Sequence, residues 1–429
     1  MFVRDLVPRV LRLALLSVFL LMPASLAVAS NASAVDFQHW LAGVWPDARK
    51  IGVSRRGFEA ATAGLQPDMN LPDLDGAEAK KPSKAQAEFL RPAADYLSEG
   101  QIAKLAATGA RLAVRWGDTL KRIEQAYGVP GPIVLAIFGR ETDYGAEHPT
   151  HSVVQVIATE AYAGRRKDYF REQLVWALKM LDTGDVTPEE FKGSWAGAFG
   201  LTQFMPTGYR DYATDFDGDG RRDVWRSVPD ALASSAVELT KAIDRDGTPV
   251  GWQAGRQWGF EVREPPVLDC TWAGFDRPRA IRDWRKLGFT RSHGKPFPSS
   301  APGDKAYLLL PEGANGPAFL VSDNFLALKV YNYADLYALF VGHLADRIAG
   351  EGPFEAKWAE ATHLTEASVF ELQKKLVGLG YDVGKVDGKI GWKMRIALGE
   401  YEKKRGLPVK CYPSEADAVA LGGETITGP

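Results

Sequence analysis

A chain of 429 residues, 45% apolar and 25% charged, is long enough to bury a full core and to hold two or three structural units. Its 52 basic side chains face 54 acidic ones, a formal charge of −2, so the basic excess that phosphate neutralisation requires is missing and nucleic acid is excluded as a partner. Residues 1–29 read as a secretory signal: Arg4, Arg9 and Arg12 precede the apolar run Leu13 to Leu21, and Ala27-Val28-Ala29 follows as a small-x-small site. Cleavage is expected after Ala29, with Ala34 as second choice, and the run is too short for a membrane span. The two cysteines, Cys270 and Cys411, do not follow the signal, so a soluble exported, periplasmic protein is expected rather than a lipoprotein. A disulfide between them is permitted by that compartment but not implied by their spacing.

From Phe37 to about Tyr127 the apolar residues recur at helical steps (Ile102, Leu105, Leu112, Trp116, Leu120, Ile123), interrupted by a Pro-, Asp- and Gly-rich loop at 66–83. Val129 to Gly145 is the most apolar segment after the signal. Pro130 and Pro132 suit a first helical turn, and Ile133 to Phe138 is apolar all round, which predicts a buried helix. A further amphipathic helix is predicted at Arg166 to Leu181. Small strands are expected within 253–320, where alternating runs such as Ala306 to Leu310 sit among Pro, Gly and Trp. Helix is expected again over Leu326 to Ile348. Ala349-Gly350-Glu351-Gly352-Pro353 then marks a composition break before a final unit, in which Val369, Leu372, Leu376 and Leu379 space as one helix and Ile396, Ala397 and Tyr401 as another.

The chemistry centres on Glu141. Val134, Ile137 and Phe138 precede it on one helix face, and a carboxyl presented on an apolar face is placed to stay protonated and to donate a proton. On local pattern alone, a structural pairing with Arg140 is equally open. Asp143, two positions on, points to another side. Asp215, Asp217 and Asp219, alternating with Gly218 and Gly220, resemble the first half of an EF-hand calcium loop, but the twelfth position is Arg226 rather than Glu, and a solvated surface turn is the alternative. His148 and His151 lack the spacing of a zinc helix, and Gly193-Ser194-Trp195 is not a nucleophile elbow.

Gly139-Arg140-Glu141-Thr142-Asp143-Tyr144-Gly145 resembles the catalytic motif of the membrane-bound lytic transglycosylase B family, whose Glu is the sole acid/base. Gly193 to Gly200, Gln203-Phe204-Met205-Pro206, Asp215 to Gly220, Trp258-Gly259, Asn324-Phe325 and Tyr331-Asn332 follow in the family's order. The resemblance implies a mainly α (α+β) fold: a lysozyme-like catalytic core with a small β insertion over 35–350. It makes Glu141 catalytic and Ser194, Gln203, Tyr331 and Asn324 substrate-binding. It also implies a structural Ca2+ held by Asp215, Asp217, Asp219, the Arg221 carbonyl and Asp230, with no organic cofactor. Taken singly, Ser194 reads equally as a cap, Gln203 as a buried loop amide and Tyr331 as a core aromatic. Departures are Ala334 where Ser often stands, Leu201 where Gln is common, and an altered stretch from Glu238 to Gly251, all bearing on cleft lining and substrate preference.

Residues 360–422, with Leu372-Gln373-Lys374-Lys375-Leu376 and Val386-Asp387-Gly388-Lys389-Ile390-Gly391, resemble a three-helix peptidoglycan-binding domain, whose role would be to tether the core to an insoluble polymer. The expected reaction is cleavage of the MurNAc-GlcNAc β-1,4 bond of peptidoglycan glycan strands, leaving 1,6-anhydro ends. A water-using muramidase and a non-catalytic wall-binding scaffold are the rival readings, and other cell-wall enzymes are open as partners.

Overall fold

The computed structural model describes residues 36–72, 74, 91–298, 304–358, 364–414 and 417, so the expected signal 1–29 lies outside the described residues. The organising element is the helix Gly131–Thr142, here called the acid helix. Pro130 is its N-cap and Pro132 lies in its first turn, and Ile133, Val134, Leu135, Ala136, Ile137 and Phe138 are all buried, as an all-round apolar segment must be. It lies among four helices, Glu99–Arg115, Gly117–Tyr127, Val228–Thr240 and Asp335–Ile348. Asp143, Tyr144 and Gly145 follow with φ of 47°, 60° and 82°, a left-handed run that turns the chain sharply back. The Tyr144 ring folds onto the helix it has just left: a Cβ on Gly139 would lie 2.5 Å from its Cζ, so only glycine fits there. Tyr144 then donates a hydrogen bond to the Leu105 carbonyl at 2.9 Å.

A second core forms where the N-terminal helices, residues 36–42, Trp45–Lys50 and Arg55–Thr62, bury Phe37, Leu41 and Phe58 against Phe170, Leu174 and Leu178. The last three lie on Lys167–Thr183, within a turn of the predicted helix. Beside it, strands β1 (His151–Ser152) and β2 (Lys192–Gly193) pair and launch the loop to Phe204.

The expected small insertion is an antiparallel sheet of five strands: β3 (Gly259–Arg263), β4 (Arg279–Ala280), β5 (Thr290–Arg291), β6 (Lys305–Leu309) and β7 (Ala318–Val321), in the order β4-β6-β7-β3-β5. Its inner face buries Trp284, Phe289, Leu308 and Leu320. The single helix expected over Leu326 to Ile348 is instead two, Asp323–Lys329 and Asp335–Ile348. Tyr333 breaks it with φ of 60°, and the Asn332 side chain accepts the Ala334 N–H at 3.1 Å across the break. Hydrophobic spacing continues through the interruption, so periodicity alone does not reveal it.

In the C-terminal unit the described helices are Glu366–Gly378 and Trp392–Lys404; a third helix is not among the described residues. Buried Gln373 explains the motif that marks this unit. It donates to the carbonyls of Lys385 and Lys389 (3.1 and 3.0 Å) and accepts from the N–H groups of Asp387 and Gly388 (2.9 and 2.7 Å), sewing helix to loop. The unit does not swing freely as a tether would. Cys270 and Cys411 form a disulfide with Cα atoms 6.0 Å apart, joining the insertion to the C-terminal unit. Arg395 pairs with Asp335 at 2.8 Å and Lys403 with Asp269 at 2.7 Å. The segment after the composition break is also pinned: Glu261 accepts the N–H groups of Glu355 and Ala356 at 2.8 and 2.7 Å. Among the described residues no helix is long and apolar enough to cross a membrane.

Candidate active site

Glu141 stands half-buried in the last turn of the acid helix, and its Oε1 accepts a short hydrogen bond from the hydroxyl of buried Tyr337. Tyr331, from the helix break, stacks on Tyr337 with ring centroids 5.8 Å apart and planes 18° from parallel. Burial, then the negative charge of Glu141, pushes the Tyr337 hydroxyl well above its usual range, so it serves as a donor throughout. Arg140 directs its guanidinium at Tyr96, donating to the hydroxyl at 2.7 Å and lying over the Tyr96 and Phe340 rings. Asp143 points elsewhere, as its place in sequence implies, with its carboxylate 3.8 Å from Lys104.

Tyr337 is a positioning residue that sequence reasoning did not single out. Tyr337→Phe is expected to lower kcat about ten-fold, the scale of one lost hydrogen bond to a charged group, with KM little changed. It should also move the pH limb that reports Glu141 upward, because the lost donor favoured the carboxylate. An unchanged pH profile would reduce Tyr337 to packing.

The loop bearing Ser194 and Gln203 is fastened to the acid helix one residue past Glu141: Thr142 donates to the Leu201 carbonyl at 2.7 Å, and Leu201 donates to Val224 at 2.9 Å. Gly200, with φ of 77°, permits this approach, since a Cβ there would lie 2.9 Å from the Val224 carbonyl oxygen. Gln203 itself has φ of 56° and donates to the Gly200 carbonyl at 3.0 Å. The Ser194 hydroxyl accepts the N–H groups of Ala196 and Ala198 at 3.3 and 3.2 Å, organising the turn. Asn324 is corrected by its surroundings. Fully buried, it accepts from Gln253 N–H at 2.7 Å and donates to the Gln253 and Arg256 carbonyls at 3.0 and 2.8 Å, so it clamps that loop and offers nothing to a substrate. Ala334, where Ser is common, is the N-cap of Asp335–Ile348 and supplies no side-chain cap.

The altered stretch contributes a second carboxyl that the sequence left unassigned. Burial pushes Glu238 up to about 7, with the Tyr331 hydroxyl pulling the other way and the charge of Glu141 adding to the rise. Tyr169 and Tyr212, held up mainly by burial, also feel the charge of Glu238. The local signal was one Glu in the otherwise small and apolar run Ala231 to Leu239.

In the acidic loop, Asp215, Asp217 and Asp219 bring a carboxylate oxygen each to within 4.8 Å of one another, the compact hard-oxygen set that suits calcium. Asp230 is not part of this group. It is fully buried, and its oxygens accept the N–H groups of Phe216, Asp217 and Asp223 (2.8, 3.2 and 2.9 Å), so it braces the loop from behind. Arg221 donates its N–H to Asp219 at 2.8 Å.

Comparison with known proteins agrees with this geometry. The Transglycosylase SLT domain family matches residues 36–346, and the putative peptidoglycan binding domain family matches residues 365–410. The chain is 30% identical over 272 residues to the membrane-bound lytic murein transglycosylase B of Escherichia coli (strain K12), covering 63% of this chain and 70% of that one. It superposes on SltB3 from Pseudomonas aeruginosa in complex with NAG-NAM-pentapeptide with a TM-score of 0.79 at 38% identity, covering 90% of this chain and 99% of that one. For the Escherichia coli lytic transglycosylase Slt35 in complex with bulgecin A, the TM-score is 0.56 at 26% identity, covering 74% and 92%.

Proposed function

The chain belongs to the SLT transglycosylase family, and on that premise we propose that it cleaves the MurNAc-GlcNAc β-1,4 bond of peptidoglycan with Glu141 as its one acid and base. Glu141 protonates the glycosidic oxygen as the bond to C1 breaks. Left as a carboxylate, it then takes the proton from the muramoyl C6 hydroxyl, whose oxygen bonds to C1 and closes the 1,6-anhydro ring. Tyr337 steadies the carboxylate between the two steps. The cleft wall formed by Tyr331 and the loop of Ser194 and Gln203 takes the sugar.

The observation that carries this reading is Glu141, the one carboxyl of a buried helix, half-buried in its last turn and held by Tyr337. Hydrolytic glycosidases use two carboxyls, one to activate water or attack C1. Glu238, pushed up to about 7 by burial, is half ionised near neutral pH, so the chemistry of the products decides whether it serves as a second carboxyl. Mass spectrometry of soluble products from purified peptidoglycan tests the assignment. Anhydromuramoyl ends support it; reducing ends, heavier by one water, would make the protein a hydrolase, and no products would leave a wall-binding scaffold.

Asp215, Asp217 and Asp219, with the Arg221 carbonyl, would hold a structural Ca2+ that crosslinks the loop in front of Asp230. Calcium at about a hundred times its Kd is expected to add roughly 2.7 kcal/mol and raise Tm by about 5 °C, reversed by chelator. Asp217→Asn should remove the response; a Tm indifferent to calcium in the unmutated chain would reject the ion. An exported, periplasmic location suits the Cys270–Cys411 disulfide, since such bonds persist in oxidising compartments.

A further inference from the structure

An open cavity of about 250 Å³, lined by Tyr333, lies between the catalytic core and the C-terminal unit. Four cations, Arg91, Arg245, Lys329 and Arg395, line it against two acids, Asp244 and Asp335, a surplus of two positive charges. The surplus is partly buried. Asp335 is held by Lys329 and Arg395 at 2.8 Å each, the three side chains being 12%, 15% and 8% exposed, so one carboxylate answers two desolvated cations. Burial would raise Asp335, but those two cations hold it down to about 2. Arg245 lies 4.0 Å over the Tyr333 ring and forms no ion pair among the described residues. Trp392, first residue of its helix, adds a flat aromatic wall from the C-terminal unit.

We propose that this cavity is a subsite for a carboxylate of the peptide carried by the glycan strand, an inference that rests on the transglycosylase reading. An anion entering there would meet Arg245 at the mouth and the doubly paired Asp335 cluster behind it. Tyr333 lies two residues from Tyr331, which stacks on Tyr337, and Asp335 begins the helix that carries Tyr337, so the cavity is built on the same elements as the site of Glu141.

The test is calorimetric binding to the full chain carrying Glu141→Gln, which removes turnover from the reading. The probes are NAG-NAM-pentapeptide, the same sugar without peptide, and the pentapeptide form with its carboxylates amidated. The peptide-bearing acid is expected to bind more tightly than either other probe, and Arg245→Ala should shrink that ratio about ten-fold, the scale of one charge-assisted hydrogen bond. Equal binding of the acid and amidated forms to the chain with Arg245 intact, or a ratio untouched by Arg245→Ala, overturns the proposal. Absence of anhydro products from the unmutated enzyme would instead sink the transglycosylase reading, and the binding ratio is measured independently of it.

Discussion

Glu141→Gln is expected to reduce release of anhydromuramoyl products about a thousand-fold or more, equivalent to roughly 4 kcal/mol of transition-state stabilisation. Gln keeps the shape of the side chain, and its amide oxygen still accepts from Tyr337, so packing and Tm should hardly move. What it lacks is a proton to give the leaving oxygen and a carboxylate to take one back. Both steps fail together, so the loss falls on kcat, with binding of intact strands retained. Residual activity above a tenth of the original would require another acid, and Glu238 is the group within electrostatic reach.

Removing the disulfide is the second large effect. Cys270 and Cys411 close a loop of 141 residues, for which chain-entropy reasoning gives about 5 kcal/mol, so Cys270→Ser with Cys411→Ser should lower Tm by about 10 °C. The cross-link is surrounded by contacts that need it in place. Glu402 accepts the N–H groups of Lys410 and Cys411 at 2.8 and 3.0 Å, and a Cβ on Gly399 would overlap the Cys411 sulfur at 2.1 Å. Serine at both positions should therefore loosen the C-terminal unit first, visible as a lower-temperature step in calorimetry that reductant reproduces in the unmutated protein. A melting curve unaltered by reductant would show that packing alone holds the unit.

Much of this was legible from local pattern. The acid helix announces itself because burial on every side demands an unbroken apolar run, and the strands because alternation on a half-buried sheet has a period of two. Glu141 was legible as the one carboxyl on that run. What was not legible depends on distant partners. Asn324 and Asp230 are polar residues in site-like motifs, yet both are consumed by backbone groups of other segments, Asn324 by residues 253–256 and Asp230 by 216–223. The helix break at Tyr333 hides behind continuous hydrophobic spacing. The disulfide could not be read from a separation of 141 residues, nor Tyr337 from its place in an ordinary helical pattern.

The pinned segment after Ile348 changes what the C-terminal unit does mechanically. With Glu355 and Ala356 clamped by Glu261, and Arg395 and Cys411 anchored across the interface, the wall-binding surface and Glu141 keep one separation. The two units behave as a caliper with fixed jaws, its span held by a covalent bond and buried ion pairs rather than by the length of a linker.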